Sequence, residues 1–339
     1  MKNIHINRLS PLNLRDSKVL KNRIVIPPMA SATADQSGFI TEDTIKHYSE
    51  LTHAGASLLM VEYSFVDLSG RSETNQLALS QDEQIFGLRE LTTLIKSKDM
   101  LCAIQLTHAG GKSERSLTDG SLQSPSGITV PVKDRELEIP DEMNLEQIEC
   151  WKNKFIKAAH RAHAAGFDMV ELHAAHGYGL NQFLSPLTNK RKDQFGGTLV
   201  NRARLVLEII FAIKEQLPSL LLSIRMPGQD FSEGGLSQDD AKDLAMMFEN
   251  AGVDILNISS GLGGWRRPGP RTGEGYLVSE AQFIKQFVNI PVIGVGGIES
   301  TSYIDEVISN KKISLAAVGR AILKDPRRFH QQLIGENHV

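Results

Sequence analysis

Three side chains that can donate protons stand close together in the middle of the chain. His173, His176 and Tyr178 follow a short apolar run typical of a buried strand. If that strand ends at His173 and the chain turns, both imidazoles can face one substrate oxygen as paired hydrogen-bond donors, and a phenol, with an ordinary pKa of about 10, can supply a proton. Alternatively, the histidines are satisfied structural residues and the tyrosine only packs. No H-E-x-x-H motif or cysteine pair supports a metal, so we expect none.

Other residues are suited to binding anions. Arg225 is predicted inside a mostly apolar interior, where a buried guanidinium needs an anion, either the carboxylate of Glu171 or a bound group that gains negative charge. The residues suited to a phosphate follow the last two predicted strands and are Gly296, Gly297, Gly319 and Arg320. Their backbone N–H groups and guanidinium favour phosphate binding, with ordinary turn glycines and a surface arginine as the alternative.

Eight short apolar runs, separated by helix-like stretches, must position these groups. The predicted strands are Ile24–Met29, Leu58–Val66, Leu101–Thr107, Met169–His173, Leu220–Met226, Asp254–Ser259, Pro291–Val295 and Leu315–Gly319. Most are nearly continuous in apolar character, as expected of parallel strands covered on both faces. Eight β-then-α units predict an α/β fold, a single (β/α)8 TIM barrel over residues 1–339. A doubly wound dinucleotide-binding sheet is disfavoured because no G-x-G-x-x-G motif follows the first strand.

Capping signals and charged segments mark the connections. Ser80 and Glu83 predict a capping box before a helix over 82–98, Ser237 and Asp240 open another helix, and Asp325 precedes a proline at the first position of the last helix. An apolar face over 145–162, with Gly166 at its end, predicts a further helix. The stretch 111–144 is predicted to be a lid over the barrel mouth, and the 265–268 run (Trp-Arg-Arg-Pro) a solvated loop.

Composition excludes several classes of protein. With 37 Lys and Arg against 40 Asp and Glu, the net charge is −3, which is not the basic character expected of a nucleic-acid-binding protein. Two cysteines cannot form a disulfide framework or a four-cysteine iron–sulfur cluster, and they favour a reducing compartment. Apolar runs are too short to span a bilayer, and residues 1–10 lack the apolar core of a signal peptide. We therefore expect a cytoplasmic protein without a membrane partner.

The combination of motifs resembles the Old Yellow Enzyme family of FMN-dependent oxidoreductases. The resemblance runs from about residue 5 to 333 and is most specific over 171–204. The matching segments are Asn22–Val25, Pro28–Met29, Gln105–Gly110, His173–Tyr178, Phe183–Pro186, Asn189–Gly197, Asn201–Arg204, Gly319–Arg320 and Asp325–Pro326. The resemblance implies FMN, bound without a covalent link at the mouth of the barrel.

The resemblance also assigns roles to the residues around that cofactor. Pro28, Met29 and Gln105 look like contacts of the isoalloxazine, and Arg225 looks like the cation near N1 and the C2 carbonyl. The phosphate would lie against Gly296, Gly297, Gly319 and Arg320. Ala30 stands where many members carry Cys or Thr beside the flavin and cannot donate a hydrogen bond, whereas Tyr63 stands where relatives often have a small residue. We hypothesise that Tyr63 reaches the flavin edge and partly replaces the lost hydrogen bond.

For the substrate, the resemblance implies reduction of an activated alkene. His173 and His176 would bind the carbonyl or nitro oxygen, and Tyr178 would protonate the α-carbon after hydride transfer from flavin N5 to the β-carbon. NADH or NADPH would reduce the flavin first in the same pocket, giving ping-pong turnover. One bacterial branch shares its site across a dimer through an aromatic residue and a C-terminal arginine; here Ala32 and the ending 336–339 carry neither feature.

Two other classes of function remain open at this point. A cofactor-free barrel lyase or aldolase would use a Schiff-base lysine, for which Lys112 is the nearest candidate, although it lies past its strand. A non-catalytic flavin-binding protein would have no need of the proton donor Tyr178. The residues do not name the physiological substrate, do not choose between NADH and NADPH, and leave a homo-oligomer open.

Overall fold

A computed structural model, which describes residues 6–132, 136–264, 269 and 271–335, contains a closed barrel of eight parallel strands. The strands are β1 (Ile24–Ile26), β2 (Leu58–Phe65), β3 (Leu101–Thr107), β4 (Met169–His173), β5 (Leu221–Pro227), β6 (Ile255–Ser259), β7 (Val292–Gly294) and β8 (Leu315–Ala317). Each pairs in parallel with its neighbours in sequence, and β8 pairs with β1. The predicted (β/α)8 barrel is confirmed.

Helices follow the strands and cover the outside of the barrel. They are α1 (Glu42–Leu51), α2 (Ile85–Lys96), α3 (Leu145–Ala164), α4 (Leu199–Gln216), α5 (Gln238–Asn250), α6 (Val278–Lys285), α7 (Thr301–Ser309) and α8 (Pro326–Ile334). Two short helices, Gly179–Leu184 and Arg320–Lys324, lie next to the ends of β4 and β8. No helix of the described ranges is long and apolar enough to cross a membrane.

The caps confirm two predictions and correct a third. Ser237 and Asp240 open α5 as predicted, where they form a capping box, and the Asp325 side chain accepts from the backbone of Arg328 at the start of α8. The predicted box of Ser80 and Glu83 is wrong by one residue, because Gln81 and Gln84 exchange the two hydrogen bonds instead. The longer Gln84 side chain also accepts from the backbone N–H of Ser80, which occupies the donor that Glu83 was expected to satisfy.

Several strands are shorter than predicted. β1 ends at Ile26, three residues before Met29, because Pro27 and Pro28 have no N–H with which to continue the ladder. β7 and β8 end at Gly294 and Ala317, and the glycine-containing segments after them turn away from the sheet. The residues predicted at these strand ends therefore lie in loops at the carboxyl end of the barrel, where they are free to face a ligand.

The amino end of the barrel is closed by a small hairpin. Leu12–Asn13 pairs with Val19–Leu20, and Leu20 packs with interior residues such as Met169 and Leu221. Arg15, in the turn of this hairpin, donates to Asp254 at the start of β6. The hairpin therefore closes the bottom of the barrel and leaves the carboxyl end as the open side.

The segment after β3 lies at that open side. Gln123–Ser124 and Asp141–Glu142 form a short parallel pair, and Arg191, in the loop after β4, donates to the carbonyl of Pro125 at 2.7 Å. The predicted excursion after strand 3 is therefore present, and its action as a lid stays a prediction. The 265–268 run and the chain end at 336–339 lie outside the described residues.

Candidate active site

A cavity of about 540 Å³ opens at the carboxyl end of the barrel. The residues predicted from the sequence to form the site all line it: Pro28, Met29, Ala30, Tyr63, Gln105, His173, His176, Tyr178, Arg225, Gly296, Gly297, Gly319 and Arg320. They come from seven of the eight strands or the loops after them, every strand except β6. The fold thus brings together groups that are almost 300 residues apart in the chain.

The two histidines face each other although their spacing is odd. β4 ends at His173, and His176 has a left-handed backbone with φ +61° that reverses the chain. The backbone N–H of His176 donates to the carbonyl of Ser260 at 3.1 Å and holds this turn against the loop after β6. The ring centroids of His173 and His176 are 5.0 Å apart, with the rings nearly perpendicular.

Both imidazoles are neutral. Burial lowers the pKa of His173 and of His176 well below the ordinary value, and the nearby charge of Arg225 lowers both further. His176 Nε2 lies 2.6 Å from Ser259 Oγ, while His173 Nδ1 has no partner in the described part of the chain. Neutral rings with one N–H each are the donors needed to polarise a carbonyl without transferring a proton to it.

A layer of polar side chains supports the floor of the cavity. Glu171 Oε1 accepts from Gln105 Nε2 at 2.8 Å, and Glu171 Oε2 accepts from Ser223 Oγ and Asn257 Nδ2, both at 2.9 Å. Burial raises the pKa of Glu171, whereas the positive charge of Arg225 and these hydrogen bonds oppose the rise. Because Gln105 uses its amide N–H₂ on Glu171, its Oε1 is the atom left without a partner among the described residues.

Arg225 extends from β5 into the same layer. Its Nη2 makes a long hydrogen bond of 3.5 Å to Ser259 Oγ, and its Nε has no partner within the described ranges. Burial lowers the pKa of Arg225, and the charge of Glu171 partly offsets this. The two residues interact through space without an ion pair among the described contacts, so the direct pairing considered from the sequence is not formed. The guanidinium keeps donors for a ligand.

Two tyrosines flank His173 on the other side of the cavity. The Tyr178 ring centroid lies 4.7 Å from that of His173 and 5.6 Å from that of Tyr63. Burial and the neighbouring Tyr178 and Glu73 raise the pKa of Tyr63, so its phenol stays protonated. Lys112 Nζ lies 4.9 Å from the centre of the Tyr178 ring and donates to the carbonyl of His176. The lysine considered for a Schiff base is thus engaged beside Tyr178.

An irregularity in β2 explains how Tyr63 reaches the cavity. The register of β2 against β3 shifts between Val61 and Ser64, which is the signature of a bulge that re-aims side chains. Glu62 interacts with Tyr48 and Ser31 on the helix side of the sheet, while Tyr63 lines the cavity.

Glycines and an arginine form the opposite end of the cavity. Gly296 and Gly297 have φ of +117° and +69°, and a Cβ on Gly296 would lie 2.8 Å from Leu277 N. A Cβ on Gly297 would lie 3.0 Å from the Tyr276 ring and 3.3 Å from Arg320 Nη2. Only glycine fits these two positions, since any side chain would be strained and crowded.

These groups fit FMN. Gln105 Oε1 can accept from a ring N–H, and the free donors of Arg225 can meet ring oxygen and nitrogen atoms that gain negative charge on reduction. At the other end, the glycine turn and the Arg320 guanidinium offer donors for a phosphate. The unpaired atoms of Gln105 and Arg225 therefore line the cavity in a position suited to a planar ring that carries N–H and carbonyl groups.

Among the cavity residues that were not predicted, three are Ser259, Glu73 and Tyr276. Ser259 is the last residue of β6, so the rule that strand ends face the site could have found it. Glu73 and Tyr276 lie in the loops after β2 and β6, and loop positions carry no periodic signal that would distinguish them.

The structure is a (β/α)8 barrel whose open end carries a cavity suited to FMN, and comparisons with known proteins identify the family. Residues 9–334 match the NADH:flavin oxidoreductase / NADH oxidase family. An NADPH dehydrogenase from Bacillus pumilus is 37% identical over 318 residues, covering 94% of this chain and 91% of its own length. The chain belongs to this family, the Old Yellow Enzyme family, and is an FMN-dependent NAD(P)H oxidoreductase. The cofactor-free lyase and the non-catalytic flavin protein are thereby disfavoured.

Two other relatives differ in length or in identity. The NADH oxidase of Thermoanaerobacter brockii is 37% identical over 314 residues, and the match covers 91% of this chain but only 48% of that protein, about half of its length. The solved structure of the Old Yellow Enzyme homologue from Zymomonas mobilis superposes with a TM-score of 0.84 at 20% identity, covering 98% of this chain and 94% of that one. The latter likeness supports the fold alone.

Proposed function

We propose that the protein reduces the activated C=C bond of α,β-unsaturated carbonyl or nitro compounds. The observation that carries this proposal is the neutral pair His173 and His176 beside Tyr178, in the cavity that also contains Arg225 and the glycine turn. The pair offers donors to one oxygen, and the phenol offers a proton a few ångströms away. Addition of a hydride and a proton across a polarised alkene requires both groups: donors that hold the oxygen and an acid that supplies the proton.

Residues 1–339 would form a single FMN-binding unit. Pro28, Met29, Ala30, Tyr63, Gln105 and Arg225 would surround the ring, and Gly296, Gly297, Gly319 and Arg320 the phosphate. When bound, FMN supplies the hydride, which it takes from NADH or NADPH. Arg225 would stabilise the negative charge of the reduced cofactor, and Gln105, oriented by Glu171, would accept from it.

His173 and His176 would bind the carbonyl or nitro oxygen of the substrate. Hydrogen bonds to that oxygen draw electrons from the conjugated alkene and make the β-carbon electrophilic. Because burial and Arg225 keep both pKa values low, the rings remain neutral at physiological pH and hold their N–H protons. Ser259, bonded to His176 at 2.6 Å, would orient that ring.

Tyr178 would hold the proton that reaches the α-carbon. Its ring lies against His173, so a substrate oxygen held by the histidines would place the alkene beside the phenol. The ammonium of Lys112, over the ring at 4.9 Å, would stabilise the phenolate that remains.

A two-step absorbance experiment tests the proposal. The FMN-loaded protein is reduced with NADH or NADPH without oxygen, and 2-cyclohexenone is then added, with the saturated cyclohexanone as the control. We expect the oxidised flavin spectrum to return with the enone and not with the saturated ketone. Reoxidation by oxygen but by neither the enone nor a nitroalkene would contradict the proposal and leave the family assignment intact.

A further inference from the structure

Tyr276, in the loop between β6 and α6, lies against the glycine turn of the cavity. Its backbone N–H donates to the carbonyl of Gly296 at 3.0 Å. Its ring occupies the space beside Gly297, where an added Cβ would lie 3.0 Å from Tyr276 Cε1. The same position is 3.3 Å from Arg320 Nη2, so the ring and the guanidinium both lie beside the turn. The tyrosine thus forms part of the wall at the end suited to a phosphate.

An ion pair between the half-buried Arg271 and the buried Glu280 holds this loop in place. Arg271 donates to both carboxylate oxygens of Glu280, at the start of α6, with two hydrogen bonds of 2.5 Å. Arg271 also donates to the carbonyl of Tyr276 at 2.8 Å, and Glu280 is fully buried. Gln229 donates to Glu280 from the loop after β5 at 3.0 Å. Because a buried carboxylate requires its partners, this pair ties the backbone of Tyr276 to the barrel.

We infer that Tyr276 is an FMN-contacting residue that covers the phosphate end of the cofactor, and that Arg271 with Glu280 positions it. The ring would exclude water from the donors of the glycine turn and Arg320, which strengthens their hydrogen bonds to a phosphate. Arg271 acts through the loop and is a positioning residue. The inference concerns cofactor affinity and is independent of which substrate the enzyme reduces.

The comparison of FMN with riboflavin tests where Tyr276 acts. Riboflavin has the same ring and side chain but no phosphate. We expect Tyr276→Ala to weaken FMN binding about tenfold, the size of one well-packed aromatic contact, and to change riboflavin binding little. Tyr276→Phe should bind FMN nearly as the wild type does, because it keeps the ring. Phe287→Ala, which truncates an exposed aromatic residue outside the cavity, is the matched control.

Fluorescence quenching on titration gives both affinities without turnover. Unchanged FMN affinity in Tyr276→Ala would overturn the inference. An equal loss for FMN and riboflavin would also overturn it, since a general disturbance of the cavity would affect both ligands alike.

A double-mutant cycle tests the positioning role. Arg271→Met should weaken FMN binding in the wild-type background and have little further effect in Tyr276→Ala, because Arg271 acts through that tyrosine. Additive losses would contradict this role. If Arg271→Met fails to fold, because it leaves Glu280 without its cation, the double variant Arg271→Met/Glu280→Met removes both charges and replaces it in the cycle.

Discussion

Both ends of the barrel carry polar side chains that are wholly or mostly buried, but unpaired buried polar atoms line the cavity at the carboxyl end. At the amino end, Asp254 Oδ1 accepts from Arg15 at 2.7 Å, and Oδ2 accepts from Lys214 at 3.1 Å and from the backbone of Leu222 at 2.8 Å. At the carboxyl end, Gln105 Oε1, His173 Nδ1 and Arg225 Nε have no partner among the residues with described structure.

The contrast separates stability from function within one fold. A buried polar atom without a partner costs about 1–3 kcal/mol, so a barrel selected for stability alone would not keep several of them together. The paired groups of the amino end close the barrel, whereas the unpaired groups of the carboxyl end line the cavity that we propose binds the cofactor and the substrate. Substitutions at the two ends should therefore affect different measurements.

The largest expected effect at the carboxyl end is on proton donation. Tyr178→Phe should slow reoxidation of the reduced flavin by an enone about 100-fold, as expected for loss of a general acid. Reduction of the flavin by NADPH should change little, since that step needs no phenol. Stopped-flow absorbance measures the two half-reactions separately. Equal losses in both would show that Tyr178 is a structural residue.

The next effect concerns the substrate oxygen. His176→Ala removes one of the two proposed donors and should weaken binding of a simple phenol or enone about tenfold, the size of one hydrogen bond to a polar ligand. FMN should stay bound, because His176 belongs to the substrate side. Titration with para-hydroxybenzaldehyde, followed by the flavin spectrum, measures this affinity. Retained phenol affinity would argue against the assignment.

The sequence predicted most of this site, for a physical reason. In a barrel the strand ends converge, so finding the strands locates His173, Gln105 and Arg225 without any knowledge of long-range contacts. The left-handed backbone conformation of His176, which makes the turn, could not be predicted, because a non-glycine residue with positive φ has no sequence signature. The position of Tyr276 and its ion pair of Arg271 with Glu280 could not be predicted either, since they depend on how the loop after β6 packs.

His108 provides a satisfied histidine at the same end of the barrel. Its Nδ1 accepts from the backbone of Gly110 at 3.1 Å, and its Nε2 pairs with Ser69 Oγ at 3.0 Å, so the ring is neutral. Burial lowers its pKa to about 3. The unfolded chain protonates at its ordinary pKa of about 6.5, so His108 should lower the free energy of unfolding by about 1.4 kcal/mol for each pH unit between about 6.5 and 3, in addition to the contributions of other buried histidines.

Urea unfolding at a series of pH values checks this effect. His108→Asn should be less stable at neutral pH and should show a shallower loss of stability between pH 6.5 and 4, a window set by the ordinary and shifted pKa values. An identical slope in the variant would mean that other groups cause the acid sensitivity.

The smallest effect concerns the hypothesis that Tyr63 tunes the flavin. Tyr63→Phe keeps the ring packed on Tyr178 and removes the hydroxyl. Loss of one hydrogen bond of about 1 kcal/mol corresponds to about 20 mV in a two-electron potential. Spectroelectrochemical titration of bound FMN measures the shift, and Ser64→Ala is a neighbouring control whose hydroxyl donates within β2. An unchanged potential in Tyr63→Phe would exclude the hypothesis.

The melting temperature with and without FMN tests the contrast between the two ends most directly. Arg225→Met removes an unpaired donor from the cavity, and Asp254→Asn removes the charge of a paired group at the amino end. We predict that Asp254→Asn lowers the melting temperature of the apoprotein. Adding FMN should still raise the melting temperature of this variant as much as it raises that of the wild type. Arg225→Met should melt close to the wild-type apoprotein and lose most of that rise, because stabilisation by a ligand follows its affinity. A large loss of apoprotein stability in Arg225→Met, with an unchanged rise on FMN, would contradict the account.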